Sequence, residues 1–162
     1  MTDTLLHRGP DEAGFFVEAN VELGMRRLAI IDVAHGHQPA SDESGHIQVI
    51  MNGEIYNFQD LRHRLEALGH SFASASDTEV IAHAYEQWGP SAISYLNGMF
   101  ALAIWDRRTR ELILARDRVG KKPLLYAMTT SGGIVFASEA RAILESGWVA
   151  QPDFQSLNHV LA

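Results

Sequence analysis

Cysteine is absent from these 162 residues. That absence removes disulfides, thiolate zinc sites and any cysteine nucleophile from the chemistry these residues can perform. Long apolar runs are also lacking; none approaches the ~20 residues of a bilayer-spanning helix, so no membrane partner is expected. Basic charge is scarce, with 13 Lys and Arg against 20 Asp and Glu and a formal net charge of −7. Such a balance gives no electrostatic basis for binding nucleic acid or a membrane surface. The opening "MTDTLLHRGPDE" has neither a basic n-region nor an apolar h-region, so it does not read as a signal peptide, and a cytoplasmic location is expected. A glycine-rich phosphate loop is missing too: "RDRVGKK", Arg116 to Lys122, lacks the GxxxxGK[ST] spacing and reads as a solvated loop.

Histidine, by contrast, occurs eight times. His35-Gly36-His37 looks like a ligand pair, but no HxxxH or HExxH completes it, and metal sites need three or four ligands with a supporting shell. His63, His70 and His83 lie on or beside predicted helices and read as half-exposed surface residues. No metal is therefore expected.

What remains is a chain with 46% hydrophobic residues, enough for one cored domain. Phe15–Glu18 and Val21–Ile31 read as strands around a turn at Asn20, and Ile47–Met51 as another. The period then changes. Leu61, Leu65 and Leu68 fall on one helical face, with Asn57 as N-cap and Gly69 as stop. Phe72–Ala75 reads as a short strand. Ser76-Asp77-Thr78-Glu79 fits a capping box opening a second helix that Gly89-Pro90 ends, before a shorter helix to Leu96. "MFALAIW", Met99–Trp105, is continuously apolar and reads as a strand buried on both faces. Glu111–Arg116, Leu124–Met128 and Ile134–Ala137 complete the strands, and Ser138 reads as the cap of a last helix, Glu139–Glu145. Strands, then helices, then strands again predict an α+β fold of largely antiparallel sheets.

One distributed set of residues offers chemistry. Arg27 ends one strand; Asn52, Gly53 and Glu54 end another; Asp77 opens a helix. A free α-amino acid calls for such groups. Its carboxylate suits a bidentate guanidinium, its ammonium suits two acids, and a side-chain carbonyl under attack needs hydrogen-bond donors aimed at the developing oxyanion. An Asn amide and a glycine N–H can supply these donors, and glycine permits close approach. Each residue also has a plainer role. Asp77 alone reads as a helix cap, Asn52-Gly53 as a turn, Glu54 as a solvated acid.

The motifs "HRGPDEAG", "RRLAIID", "GHQP", "NGEIYNFQDLR", "SDTEVIAHAYEQWG", "LNGMFALAIWD" and "ARDRVGKKPLLY" occur in that order. Together they resemble the glutaminase domain of glutamine-dependent asparagine synthetase, from about His7 to about Leu144. This is a class II glutamine amidotransferase domain. The resemblance implies an Ntn-hydrolase αββα sandwich over residues 1–146, and residues 147–162 as a linker towards a synthetase domain. It implies that Arg27 binds the glutamine α-carboxylate and that Leu28, Ile30 and Ile31 line that pocket. It further implies that Asn52 and Gly53 form an oxyanion hole and that Glu54 and Asp77 hold the α-amino group. The implied partners are glutamine and a synthetase domain in the full-length protein, with a homodimer compatible. ATP and Mg are implied only for the synthetase domain, and no cofactor for this chain. Where family members begin Met-Cys-Gly, this chain has no cysteine. The first strand and most of the first helix of the family pattern are thus expected to be missing, and the chain to be inactive alone. Thr2 or Asp3 reads as a helix cap rather than a substitute nucleophile. Alternatives are a non-catalytic glutamine-binding or interaction module, or a fragment of a similar amidotransferase acting on another carboxylate.

Overall fold

In the computed structural model, which describes residues 1–151 and 153–155, the centre of the molecule is the most apolar strand of the sequence. Strands are β1 Glu12–Glu18, β2 Val21–Arg27, β3 Ala40–Ser41, β4 Ile47–Ile55, β5 Gly98–Asp106, β6 Glu111–Arg116, β7 Leu125–Met128 and β8 Ile134–Ala137; helices are α1 Phe58–Ala67, α2 Asp77–Trp88 and α3 Ala140–Leu144. Strand β5 is buried from Phe100 to Asp106. It lies between β4 and β6 in an antiparallel four-stranded sheet of order β3-β4-β5-β6. β1 pairs with β2, and β7 with β8, as two separate antiparallel hairpins with no ladder joining them.

Strand alternation sorts the core into layers. On β4 and β5, Ile47, Val49, Met51, Ile55, Phe100, Leu102 and Ile104 point to one face, where they pack with Leu61 and Leu65 of α1 and with Val80, Ile81, Ala84 and Tyr85 of α2. Ile50, Ala103 and Trp105 point to the other, where Leu23 of β2 and Phe136 of β8 meet them. Outside the hairpins, Ala142 and Ile143 of α3 pack on Ala137, with Leu5 of a 3₁₀ turn at Thr2–Leu5. The result is helices, sheet, hairpin pair, helices, the expected αββα order.

Several elements differ from the sequence reading. β2 stops at Arg27 rather than Ile31, because the Arg27 guanidinium binds the carbonyls of Ile31, Asp32 and Val33 and folds that segment back. Phe72–Ala75 forms no strand; the N–H groups of Ala73 and Ser74 donate to the Glu79 carboxylate and that of Ala75 to Asp32. Ser76 does cap α2 through the Thr78 N–H, but Glu79 serves this loop instead of closing a capping box. Asn57 stands at the N-cap of α1 without a side-chain capping bond; it donates to Tyr95 O and accepts from Asn97 N–H. Leu68 is exposed, past the end of α1. Neither Thr2 nor Asp3 caps a helix: Thr2 lies inside the 3₁₀ turn, and Asp3 accepts from Arg26. His83 is fully buried, not half-exposed, since every residue of α2 from Asp77 to Tyr85 is enclosed. At the far end, Trp148 packs beside α3 and donates to Met128 O, so packing continues into the expected linker. Half of that linker, residues 152 and 156–162, lies outside the described residues.

Candidate functional site

Strand β4 positions the site by alternation. Asn52 and Glu54 share the face of Ile50, towards the hairpins, and Gly53 lies between them. The backbone sense matters equally. Phe100, the register partner of Gly53, turns its N–H and C=O towards Asp117 at the start of the loop after β6. Gly53 therefore turns its own N–H away from β5, to the free edge of β4. On that edge the Met51 N–H donates to Gln38 Oε1 at 2.8 Å and the Ile55 N–H to Asp77 Oδ2 at 2.9 Å. The Gly53 N–H sits between these two closed positions with no side-chain acceptor among the described residues. Glycine is required here: a Cβ would stand 2.1 Å from Met99 O and 2.7 Å from Phe100 Cα, at φ 157°.

A cavity of about 680 Å³ opens over this edge, between the two hairpins and the four-stranded sheet. Arg27, Leu28, Ile30, Ile31, Asn52, Gly53, Glu54 and Asp77 all line it. The structure thus brings together every residue singled out from the sequence. Asn52 supplies a buried Nδ2 with no hydrogen-bond partner among the described residues. Leaving such a donor unpaired costs ~1–3 kcal/mol.

Charge is arranged with the same bias. Asp77 is 6% exposed. Burial pushes its carboxyl above the ordinary range, the Ile55 N–H pulls it back, and the negative charge of Glu54 adds to the rise. Among the described residues, no cationic side chain pairs with either of these neighbouring acids. Arg27, 5% exposed, lies across the same cavity. Its Nη2 donates to Ile31 O and Asp32 O, both at 2.9 Å; Nη1 makes longer contacts, 3.3 Å to Glu12 Oε2 and 3.4 Å to Val33 O. Gly36 lets the loop close on this guanidinium, since a Cβ there would stand 2.6 Å from Nη2. Leu28 and Ile30 are largely exposed at the rim.

Sequence reasoning gave no role to Gln38. Its amide bridges Met51 N–H and Thr78 Oγ1, tying the strand edge to the start of α2. The only signal was one long amide side chain before Pro39 in an otherwise turn-rich loop. His35 and His37 do not converge on a shared point: His35 faces Asp32 and His37 faces Glu12.

A family model described as a glutamine amidotransferase domain matches residues 1–162. Among curated proteins, the chain is 43% identical over 158 residues to asparagine synthetase [glutamine-hydrolyzing] 3 of Bacillus subtilis, covering 96% of this chain and 25% of that protein. It is 44% identical over 139 residues to asparagine synthetase [glutamine-hydrolyzing] 2 of Arabidopsis thaliana, covering 86% and 24%. The chain thus spans about a quarter of the length of the curated relatives it matches. Among solved structures, glutamine phosphoribosylpyrophosphate amidotransferase from B. subtilis superposes with a TM-score of 0.64 at 31% identity, covering 78% of this chain and 29% of that one. No helix among the described residues is long and apolar enough to cross a membrane.

Proposed function

The chain belongs to the glutamine amidotransferase domain family, and on that premise we propose that its cavity holds free glutamine with the side-chain amide against β4. The observation that carries the reading is the unpartnered Asn52 Nδ2 beside the Gly53 N–H on an otherwise closed strand edge. In this reading the two donors receive the glutamine carbonyl oxygen and stabilise the charge that develops there on nucleophilic attack. Glu54 and Asp77 take the α-ammonium. Arg27 takes the α-carboxylate with Nη1, exchanging its two long contacts, while Nη2 keeps the loop of Ile31 and Asp32 in place. Glutamine hydrolysis adds water across the C–N bond and yields glutamate and ammonia. These residues supply binding and oxyanion stabilisation; a thiol nucleophile is not among them, and no cofactor is needed at this site. In the longer context its relatives' names suggest, the ammonia would feed an ATP-dependent synthetase domain that makes asparagine, with ATP and Mg²⁺ held there.

The lack of cysteine favours, for these residues by themselves, glutamine binding without turnover. Calorimetric titration of the 162-residue chain with glutamine tests this. We expect saturable binding, weakened at least tenfold by Arg27→Lys, with no ammonia released. Identical heats for the wild type and Arg27→Ala would refute the pocket, and ammonia release at the rate of an intact amidotransferase would refute the binding-only reading.

A further inference from the structure

A second cluster lies on the other side of the four-stranded sheet, apart from the glutamine cavity. Glu43 sits in the loop after β3, His70 follows α1, and His83 and Glu86 occupy one face of α2. One ligand atom from each lies within 4.8 Å of all the others. We propose that these four side chains form a binding site for a first-row divalent transition-metal ion, zinc foremost.

Two observations carry the assignment. First, His83 is buried, with its side chain 1% exposed, and its Nδ1 has no hydrogen-bond partner among the described residues. That nitrogen lies 3.0 Å from Glu43 Oε2 without being directed at it in hydrogen-bond geometry. Glu86 Oε2, also buried, is likewise unpartnered and lies 3.4 Å from His70 Nδ1. The His70 Nδ1 to Glu43 Oε1 distance is 3.7 Å. Ligand bonds of ~2.0–2.2 Å place neighbouring donors of a tetrahedral ion roughly 3.3–3.6 Å apart. The three separations, 3.0, 3.4 and 3.7 Å, bracket that range, and the four groups surround a common point.

Second, each imidazole is oriented from behind. His70 Nε2 contacts Gln87 Oε1 at 3.0 Å, and His83 Nε2 lies 3.4 Å from Glu79 Oε1. Glu79 is itself fixed by the Ala73 and Ser74 N–H groups. With the Nε2 protons directed at oxygen acceptors, both Nδ1 lone pairs are free for a cation, the arrangement metal-bound histidines adopt. Phe72, its ring centroid 4.2 Å from that of His83, walls the cluster with apolar surface.

Mixed nitrogen and oxygen donors favour zinc and its transition-metal neighbours over magnesium or calcium, which take oxygen. A bound ion would tie α2 to the loops after β3 and α1.

The test is titration of the full 162-residue chain, stripped of metal by chelator, with ZnCl₂ in a calorimeter. Co²⁺ absorption in the visible range serves as the coordination probe. We expect one equivalent to bind, a rise in melting temperature that chelator reverses, and a tetrahedral Co²⁺ spectrum. His70→Gln and Glu86→Gln, both at partly exposed positions, should each weaken binding tenfold or more while melting as cooperatively as the metal-free wild type. The double variant His35→Gln/His37→Gln should bind as the wild type does. Absence of saturable binding, or unchanged affinity in both His70→Gln and Glu86→Gln, overturns the proposal. Loss of binding in the His35/His37 variant instead would move the ion to that loop and equally overturn it.

Discussion

Asp77→Asn sets recognition against stability at one buried atom. Asp77 Oδ2 accepts from the Ile55 N–H at 2.9 Å, and an Asn side-chain oxygen can keep that bond. A bond to a charged acceptor contributes ~1.5–3 kcal/mol and a neutral one ~0.5–1.5 kcal/mol, so the exchange loses about 1 kcal/mol. Against this stands the desolvation of an ionised carboxylate that is 6% exposed, a cost of several kcal/mol per buried ion in general, with the charge of Glu54 adding to it. Desolvation wins, and we expect Asp77→Asn to be more stable than the wild type at neutral pH by about 1–2 kcal/mol. For a chain this long that is roughly 2–8 °C in Tm. The sign of the pH dependence follows from the raised carboxyl. An acid whose folded pKa exceeds its unfolded value favours folding at low pH and loses that contribution as pH rises through the folded pKa. The advantage of Asp77→Asn should therefore be complete above that pKa and vanish below the unfolded value of 3.8. Glutamine affinity should move the other way, falling about tenfold or more with the loss of one charged hydrogen bond to the ammonium. Urea denaturation from pH 7 to 3.5, paired with calorimetry, reads both effects. A variant less stable than the wild type by over 1 kcal/mol that still binds glutamine normally would refute the reasoning.

Gly53→Ala should cost at least ~1–3 kcal/mol by urea denaturation, because its Cβ would collide with backbone atoms of β5 rather than a side chain that can turn away; an unchanged midpoint would show that β4 and β5 separate freely here. Glu139 is held down to about 2, chiefly by Arg141, then by His7 and Arg8, against some burial. Its contribution is present above 4.5 and is lost as pH falls through about 2. Glu139→Gln should accordingly flatten the stability-versus-pH curve between those values, which denaturation at stepped pH would reveal.

The central strands were legible because β5 is apolar at consecutive positions and β4 opens with the largely apolar run Ile47 to Met51 beside it; burial on both faces leaves that pattern in the residues themselves. Asn52, Gly53, Glu54 and Asp77 offer suitable chemistry in one dimension, but their spacing alone does not join them into one site; the family resemblance does. The unread parts depend on contacts between distant segments. Glu79 looks like half a capping box, yet it serves the loop before its helix. The burial of His83 arises from Glu43 and Phe72 closing over α2, which no helical period records. Arg27 reads as a ligand-binding cation, and only the fold shows that Nη2 is already spent on holding its own loop.

The free edge of β4 has one further consequence, for what can enter. An extended polypeptide laid along a strand needs alternate amides as its docking points. Of the three in reach, Met51 is closed by Gln38, Ile55 is closed by Asp77, and only Gly53 is open. β3 closes the strand further back, opposite Gln48 and Val49. The opening is one amide wide. One amide is too few to hold a peptide backbone along the strand; on the proposed reading it suffices for a single carbonyl oxygen at the end of a side chain.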